Sequence, residues 1–487
     1  MTMLQEDRLL IDGALVAAEG GKVYENIDPT TEAVLGVAAD ASRGDVERAI
    51  AAARRAFDDT DWSTNLERRV RCLRQLHRAM LDHLDGFKAM TTAEVGAPAM
   101  LTAGPQVETP IGFLEYYAAL AESYPFVQDL GIAESWGARS HRWIEREPVG
   151  VVGAITPWNF PTQINLAKLA PALAAGCTVV LKAAPETPWS ASVLGRLIAE
   201  HTDIPPGVCN VITSGDKTVG EVLTTDPRVD LVSFTGSTAT GRRIMAAASA
   251  TIKRVFLELG GKSAFVVLDD ADFAATVPTC AFQVCVHSGQ GCAITTRLLL
   301  PRSRYDEGVE IARATLATMP YGDPTDPGVL GGPLVSAAQR DRVEGYVRRA
   351  IEEGAVIATG GRRPAHLPKG FFFEPTLLAN VEPHHTVAQE EIFGPVLVAI
   401  PYDDDDDAVR IANGTIYGLS GAVFGGDHAR ATAVARRIRS GTMVVNGGNY
   451  YSSDVPFGGY KQSGVGREMG VLGFEEYLQT KSLAEPA

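Results

Sequence analysis

From about residue 149 the chain alternates short apolar runs with stretches of helical length, and this restricts its fold more than any other feature. Residues 149–156 (VGVVGAIT) form a buried strand, followed by a helix over 161–175. A strand over 178–182, a helix over 189–201 and a strand over 208–213 continue the pattern. Residues 229–234 give another strand that runs through a Gly/Ser/Thr turn into a helix starting near Thr238, and 253–257 a further short one. Such alternation implies right-handed βαβ units around a parallel sheet, with ligands beyond the carboxyl ends of the strands. A second α/β region runs from about 260 to 455, with helices expected over 303–318 and 336–353. Ahead of both, residues 125–147 mix polar and apolar positions as a projecting hairpin would.

Several function classes drop out on composition. The 487 residues suffice for two or three domains. A net charge of −15 argues against a nucleic-acid partner, which needs a basic face. No run of about 18 apolar residues is present, so no membrane span is expected. Residues 1–13 carry Glu6, Asp7, Arg8 and Asp12 and lack a signal peptide's apolar core, which leaves the cytoplasm as the expected location. The six cysteines show neither metal-ligand spacing nor a CxxC pair; free thiols and no metal are the expectation. The acidic run 403–407 reads as a solvated prelude to a helix over 408–413, where acids suit the N-terminus.

The residues that carry chemistry are each ambiguous alone. Cys292 follows Ser288-Gly-Gln-Gly in a glycine-rich turn that leaves a thiol accessible, although a lone cysteine is more often a buried apolar residue. A Cys–His hydrolase dyad with His287 is a rival with no spacing argument behind it. Glu258, in FLELGGKS at 256–263, sits at the end of an apolar strand, where burial would raise its pKa into the range of a useful base; a structural pairing with Lys262 is the alternative. Asn159 lies between two prolines in TPWNFP, either aimed at a developing oxyanion or serving as an Asx-turn residue. The segment 234–241 (FTGSTATG) joins a strand to a helix, as pyrophosphate sites do. Gly464-Val-Gly466 begins a dinucleotide fingerprint without a preceding strand and is set aside.

Taken together, TPWNFP at 156–161, KLAPALAAG at 168–176, FTGSTATG at 234–241, LELGGKS at 257–263, GQGC at 289–292, EEIFGPV at 390–396 and PFGGYKQSGVGRE at 456–468 resemble the aldehyde dehydrogenase superfamily across nearly the whole chain. The resemblance implies an α/β aldehyde dehydrogenase fold with a parallel-sheet nucleotide-binding domain (1–124 and 148–258), an α/β catalytic domain (259–455), and an oligomerisation arm with a C-terminal segment (125–147 and 456–487). It implies oxidation of an aldehyde to its acid through a thioester on Cys292, with Asn159 at the oxyanion, Glu258 activating water, and Lys168 and Glu468 relaying protons behind it. Lys168 read alone is equally a helix-surface charge.

For the cofactor, NAD with NADP possible, the resemblance places Gly236 and Ser237 at the pyrophosphate, Lys182 at the adenine ribose, Glu391 at the nicotinamide ribose and Phe393 beside the ring. Ile155, Thr156, Pro157 and Trp158 line the same groove with Gly215, Phe234, Thr235, Leu259 and Gly260, and Asn159, Glu258 and Cys292 adjoin it. Many relatives carry an acid three residues after the lysine; here Ala184 and Pro185 precede a displaced Glu186, which relaxes discrimination against NADP. The substrate tunnel takes Phe160, Ile164, Ala167, Val286, Gly291 and Tyr451, all uncharged, which suggests a bulky apolar aldehyde; Tyr450 and Tyr451 leave an ammonium aldehyde as a rival. A homodimer or homotetramer is implied. A CoA-acylating dehydrogenase and a cofactor-independent thioester or ester hydrolase are the alternatives of other classes.

Overall fold

The computed structural model describes residues 3–487. Its largest sheet has eight strands, in the order Gly464–Val465, Arg254–Glu258, Leu231–Thr235, Val151–Ile155, Thr178–Lys182, Cys209–Ile212, Leu9–Ile11 and Ala14–Val16. The five inner strands are mutually parallel and the outer ones antiparallel. The chain lays down Val151–Ile155, moves outward through Thr178–Lys182 and Cys209–Ile212, then returns to place Leu231–Thr235 on the other side of the first. That reversal opens a crevice at the carboxyl ends of Val151–Ile155 and Leu231–Thr235, the usual ligand position in doubly wound sheets.

A seven-stranded sheet occupies the second region, with Ser263–Val267 and Thr295–Pro301 at its centre and one antiparallel edge, Val356–Thr359. A three-stranded antiparallel sheet joins Val127–Ser135, Ala138–Pro148 and Leu478–Pro486. The chain from 456 onward therefore divides: Gly464–Val465 closes the edge of the first sheet beside Glu258, and only the last strand joins the hairpin. No helix among the described residues is long and apolar enough to cross a membrane.

The helix Pro161–Ala175 shows why local signals worked here. Pro161 occupies its first turn, where a missing N–H costs nothing, and Gly176 ends it at φ +100°. All but one of its fifteen residues are buried, so it shows little amphipathic character despite its length. Helix Trp189–His201 lacks a side-chain cap from Pro188. Buried Glu94 replaces it, accepting from the N–H groups of Trp189 at 2.6 Å and Ser190 at 3.0 Å. Two boundaries differ from expectation. The strand expected over 253–257 is Arg254–Glu258, which makes Glu258 its last residue, paired in register with Thr235. The acidic run lies partly inside its helix: Asp404 caps Asp405–Asn413, and Asp403, Asp405, Asp406 and Asp407 meet Arg302, Arg430, Arg437 and Arg410. Helix-terminal electrostatics and ion pairing hold these acids in place.

Candidate active site

The turn that carries Cys292 leaves helix Phe273–Cys285 through three successive left-handed residues, His287 (φ 52°), Ser288 (φ 51°) and Gly289 (φ 71°). A Cβ at Gly289 would lie 2.1 Å from the Gly394 carbonyl oxygen, so only glycine fits. Opposite, Gly261 approaches the backbone of Cys292 so closely that a Cβ would fall 2.5 Å from its carbonyl oxygen. These approaches press the Cys292 turn against the end of the neighbouring sheet.

Cys292 lines a cavity of about 340 Å³ together with Asn159, Glu258 and Glu468. Burial, with Glu258, Glu391 and Glu468 nearby, pushes its thiol up, so at rest the sulfur is protonated. Glu258 is 2 % exposed and neither carboxylate oxygen has a hydrogen-bond partner. Burial first, then Glu468, raises its pKa well above the ordinary carboxylate range, partly offset by Lys168. The structural pairing with Lys262 does not form, since that ammonium is buried without a partner. Lys168 is fully buried, not a surface charge: it donates to Glu468 at 3.1 Å and to Ser233 at 3.2 Å.

Asn159 is not an Asx-turn residue. Its Nδ2 donates to the Gln290 carbonyl at 3.0 Å, two residues before Cys292, and its second amide hydrogen remains available. The Cys–His dyad is likewise absent. His287 Nε2 donates to the main-chain carbonyl of Asn159 at 2.9 Å, and burial pushes the ring's pKa down to about 4.

Of the residues expected in the substrate tunnel, Phe160, Ile164, Val286, Gly291 and Tyr451 line the cavity. Ala167 does not. It packs in the core at 1 % exposure, because it lies one turn deeper on the same helix than Ile164 and its methyl cannot reach back. Tyr450, weighed with Tyr451 as an ammonium site, is in the same wall, and Leu101, Ile294, Phe457 and the amides of Gln163 and Gln283 join it without having been anticipated. Leu101 comes from a distant segment that carries no motif, whereas Phe457 follows Tyr451 by six residues within the quoted 456–468 motif.

A second cavity of about 390 Å³ occupies the crevice between the two central strands. Ile155, Thr156, Pro157, Trp158, Lys182, Ala184, Pro185, Glu186, Phe234, Thr235 and Gly236 all line it. Ser237 instead caps helix Thr238–Ala248 through Thr240, and Leu259 packs against Gly241. Gly215 is held by Asp40 at 3.0 Å beside Tyr24. Glu391 accepts from Gly261 N–H at 2.9 Å, with its other oxygen over Gly260, and is pushed up to about 7 mainly by burial. Phe393, at φ 63°, meets Trp158 edge-on with centroids 5.4 Å apart. Lys217, Glu221 and Arg243 complete the groove's rim and were not anticipated. Burial lowers Lys182 to about 8. The two cavities share one residue, Thr235, and the TPWNFP segment crosses between them, residues 155–158 facing the groove and 159–160 the thiol.

The family model described as "Aldehyde dehydrogenase family" matches residues 15–483. A 3-succinoylsemialdehyde-pyridine dehydrogenase from Pseudomonas sp is 42% identical over 476 residues, covering 97% of both chains. Among solved structures, a Mycobacterium tuberculosis aldehyde dehydrogenase complexed with NAD+ superimposes with a TM-score of 0.95 at 41% identity, covering 100% of this chain and 99% of that one. An aldehyde dehydrogenase from Pseudomonas syringae, a cysteine-to-alanine mutant complexed with NAD+ and octanal, gives 0.92 at 39% identity, covering 98% and 96%.

Proposed function

This chain belongs to the aldehyde dehydrogenase family, and from that premise we propose that it oxidises a neutral, bulky aldehyde to the carboxylic acid with NAD, through a thioester on Cys292. One observation carries the reading: a thiol and an unpartnered buried carboxylate share an apolar cavity that meets a nucleotide-sized groove at a single residue. The groove fits a dinucleotide, with Gly236 and the exposed cap Ser237 ahead of helix Thr238–Ala248 and Lys182 at its other wall. NAD bound there supplies the hydride acceptor; two relatives carry it in their crystals.

The protein's own part follows. The Cys292 sulfur bonds to the aldehyde carbon as its thiol proton passes to water, and the oxygen gathers charge beside the free Asn159 amide hydrogen and the Cys292 N–H. Loss of hydride from that carbon leaves a thioester. Glu258, deprotonated, takes a proton from the water that attacks the thioester, and the acid departs as the thiol reforms. Lys168 and Glu468, joined by a buried ion pair, sit behind Glu258 as a route for that proton.

The substrate class rests on the cavity wall. Among the described residues no lysine or arginine lines it, and a carboxylate there would be buried unpaired. A relative named for a pyridine-bearing semialdehyde and another holding octanal fit such a wall. Tyr450 stacks almost parallel on Phe457 at 6.4 Å, which supports a plain aromatic wall over a cage for an ammonium group. NADP is accepted as a poorer cofactor, since Pro185 offers no repelling charge and Glu186 turns to Lys217 at 2.9 Å. The first sheet with its helices forms the cofactor domain and the second the catalytic domain. The hairpin, with Val127, Ile132 and Trp136 exposed, pairs protomers in a homo-oligomer. Six unpaired cysteines suit a reducing cytoplasm.

Incubation with NAD and a medium-chain aldehyde, without CoA, tests the reading. It requires NADH and free acid in equal amounts. A strict need for CoA would assign an acylating enzyme, and ester turnover without any dinucleotide requirement a hydrolase.

A further inference from the structure

We propose that His287 is a positioning residue for the oxyanion amide of Asn159, acting with Gln106 as a two-donor clamp on the Asn159 main-chain carbonyl. That carbonyl lies just outside helix Pro161–Ala175, whose ladder begins with Phe160 accepting from Ile164. Left alone it would be a buried acceptor without a partner, a costly state. Instead it receives Gln106 Nε2 at 2.8 Å and His287 Nε2 at 2.9 Å, both from side chains with no exposed surface. A carbonyl can only accept, so the imidazole carries its proton on Nε2. Burial, which lowers the ring's pKa to about 4, keeps it neutral through the working range.

Fixing the peptide plane of Asn159 fixes the direction of its side chain, leaving two torsions, and Gln290 takes up those by accepting from Nδ2. His287 also anchors Gln290. Its carbonyl accepts from the Gln290 backbone N–H at 3.1 Å and from the Gln290 amide at 3.2 Å, while its own N–H is tied to Leu330 at 3.1 Å. One residue thus holds both sides of the space in which the oxyanion forms: the amide of Asn159 on one side and the turn into Cys292 on the other. The left-handed φ of His287 aims its ring backward across the turn toward Asn159, and Phe160 packs edge-on against it at 5.4 Å.

This inference rests on Asn159 being the oxyanion donor, and the test separates the two. Single-turnover NADH formation is measured for Asn159→Ala, His287→Leu, His287→Gln, His287→Asn and Gln106→Leu, with NAD affinity and thermal melts as controls. Glutamine places an Nε2 donor as many bonds from Cβ as histidine does; asparagine does not. His287→Leu should slow the first turnover about 30-fold, short of the roughly 100- to 1000-fold for outright loss of an oxyanion donor because the Asn159 amide is displaced and not removed, with aldehyde KM within about twofold. His287→Gln should recover to within about threefold and His287→Asn should not. Gln106→Leu should slow the same step several-fold. In the Asn159→Ala background, His287→Leu should add less than about twofold, because both act through one amide. A parent-like rate for His287→Leu beside a slow Asn159→Ala overturns the positioning role alone. So does His287→Gln as slow as His287→Leu, or additive effects in the double variant. A parent-like Asn159→Ala overturns the oxyanion reading and this inference with it. Should His287→Leu fail to fold, the Gln, Asn and Gln106 variants decide.

Discussion

The substrate cavity and the cofactor groove meet at Thr235 yet manage charge in opposite ways. In the groove, charged side chains find partners on an open rim: Glu186 with Lys217, and Glu221 with Arg243. Such exposed pairs hold little energy, so a ligand can rearrange them cheaply. In the cavity, Glu258 is buried with both oxygens free and Cys292 faces it with a protonated thiol. A permanent partner there would fix one protonation state, whereas the proposed turnover needs the carboxylate to take a proton and return it. The groove is built to hold a charged ligand, and the cavity to keep its reactive groups uncommitted.

The sharpest way to break that contrast is to remove an uncommitted group. Cys292→Ala should reduce aldehyde oxidation by at least about 10⁴-fold while NAD affinity, measured calorimetrically, stays near parental. Loss of NAD binding as well would mean that the cavity and the groove are not separable. Glu258→Gln comes next. It should release about one NADH per site in a burst and then stall, with steady turnover down about 100-fold. Because the folded-state pKa of Glu258 is raised, the parent's deacylation rate should climb with pH above the usual carboxylate range, and the variant should lose that limb. The same shift has a stability consequence. The folded state holds this proton more tightly than the unfolded chain, so stability is lost as pH rises from the unfolded pKa near 4.5 toward the folded value. Glu258→Gln should therefore melt higher than the parent at pH 7 and converge with it in acid; a lower melting point at pH 7 would contradict the account.

Changes in the groove should be milder. The NAD preference in kcat/KM should stay below roughly a thousandfold, about 4 kcal/mol. Pro185→Glu, which returns an acid beside Lys182, should widen it. No change on that substitution would show that Glu186 already does the work. The smallest effects belong to the cavity wall. Each added methylene should lower KM about fourfold, from its burial of about 0.8 kcal/mol, as linear aldehydes lengthen from roughly three to eight carbons. Gly291→Val should erase the gain for the longest, since a Cβ there already comes within 2.9 Å of Ile294. A flat series, or a preference for a carboxylate-bearing aldehyde, would remove the apolar reading.

How far the sequence could be read follows the same division. Strand Thr178–Lys182 and helices Pro161–Ala175 and Trp189–His201 match their expected limits residue for residue. Each is a buried run bounded by proline, glycine or a polar break, so local physics sets its ends. Glu258 and Cys292 were visible because strand ends and glycine turns mark them. What escaped was assembled over distance. Gln106 comes from a loop with no motif, and Leu101 reaches the cavity from a distant segment of the chain. Lys217 and Arg243 look like ordinary surface charges until folding brings them to the rim. Ala167 packs in the core and not on the cavity wall, because helical spacing gives the face of a residue and not its depth.

The ion pair between Lys168 and Glu468 links residues 300 apart in the chain. Glu258 gains its edge neighbour, Gly464, from the same late segment. Two contacts around Glu258 therefore depend on 464–468, a stretch translated after Asn159, Glu258 and Cys292, so the surroundings proposed for the general base are complete only once that later stretch has folded onto the first sheet.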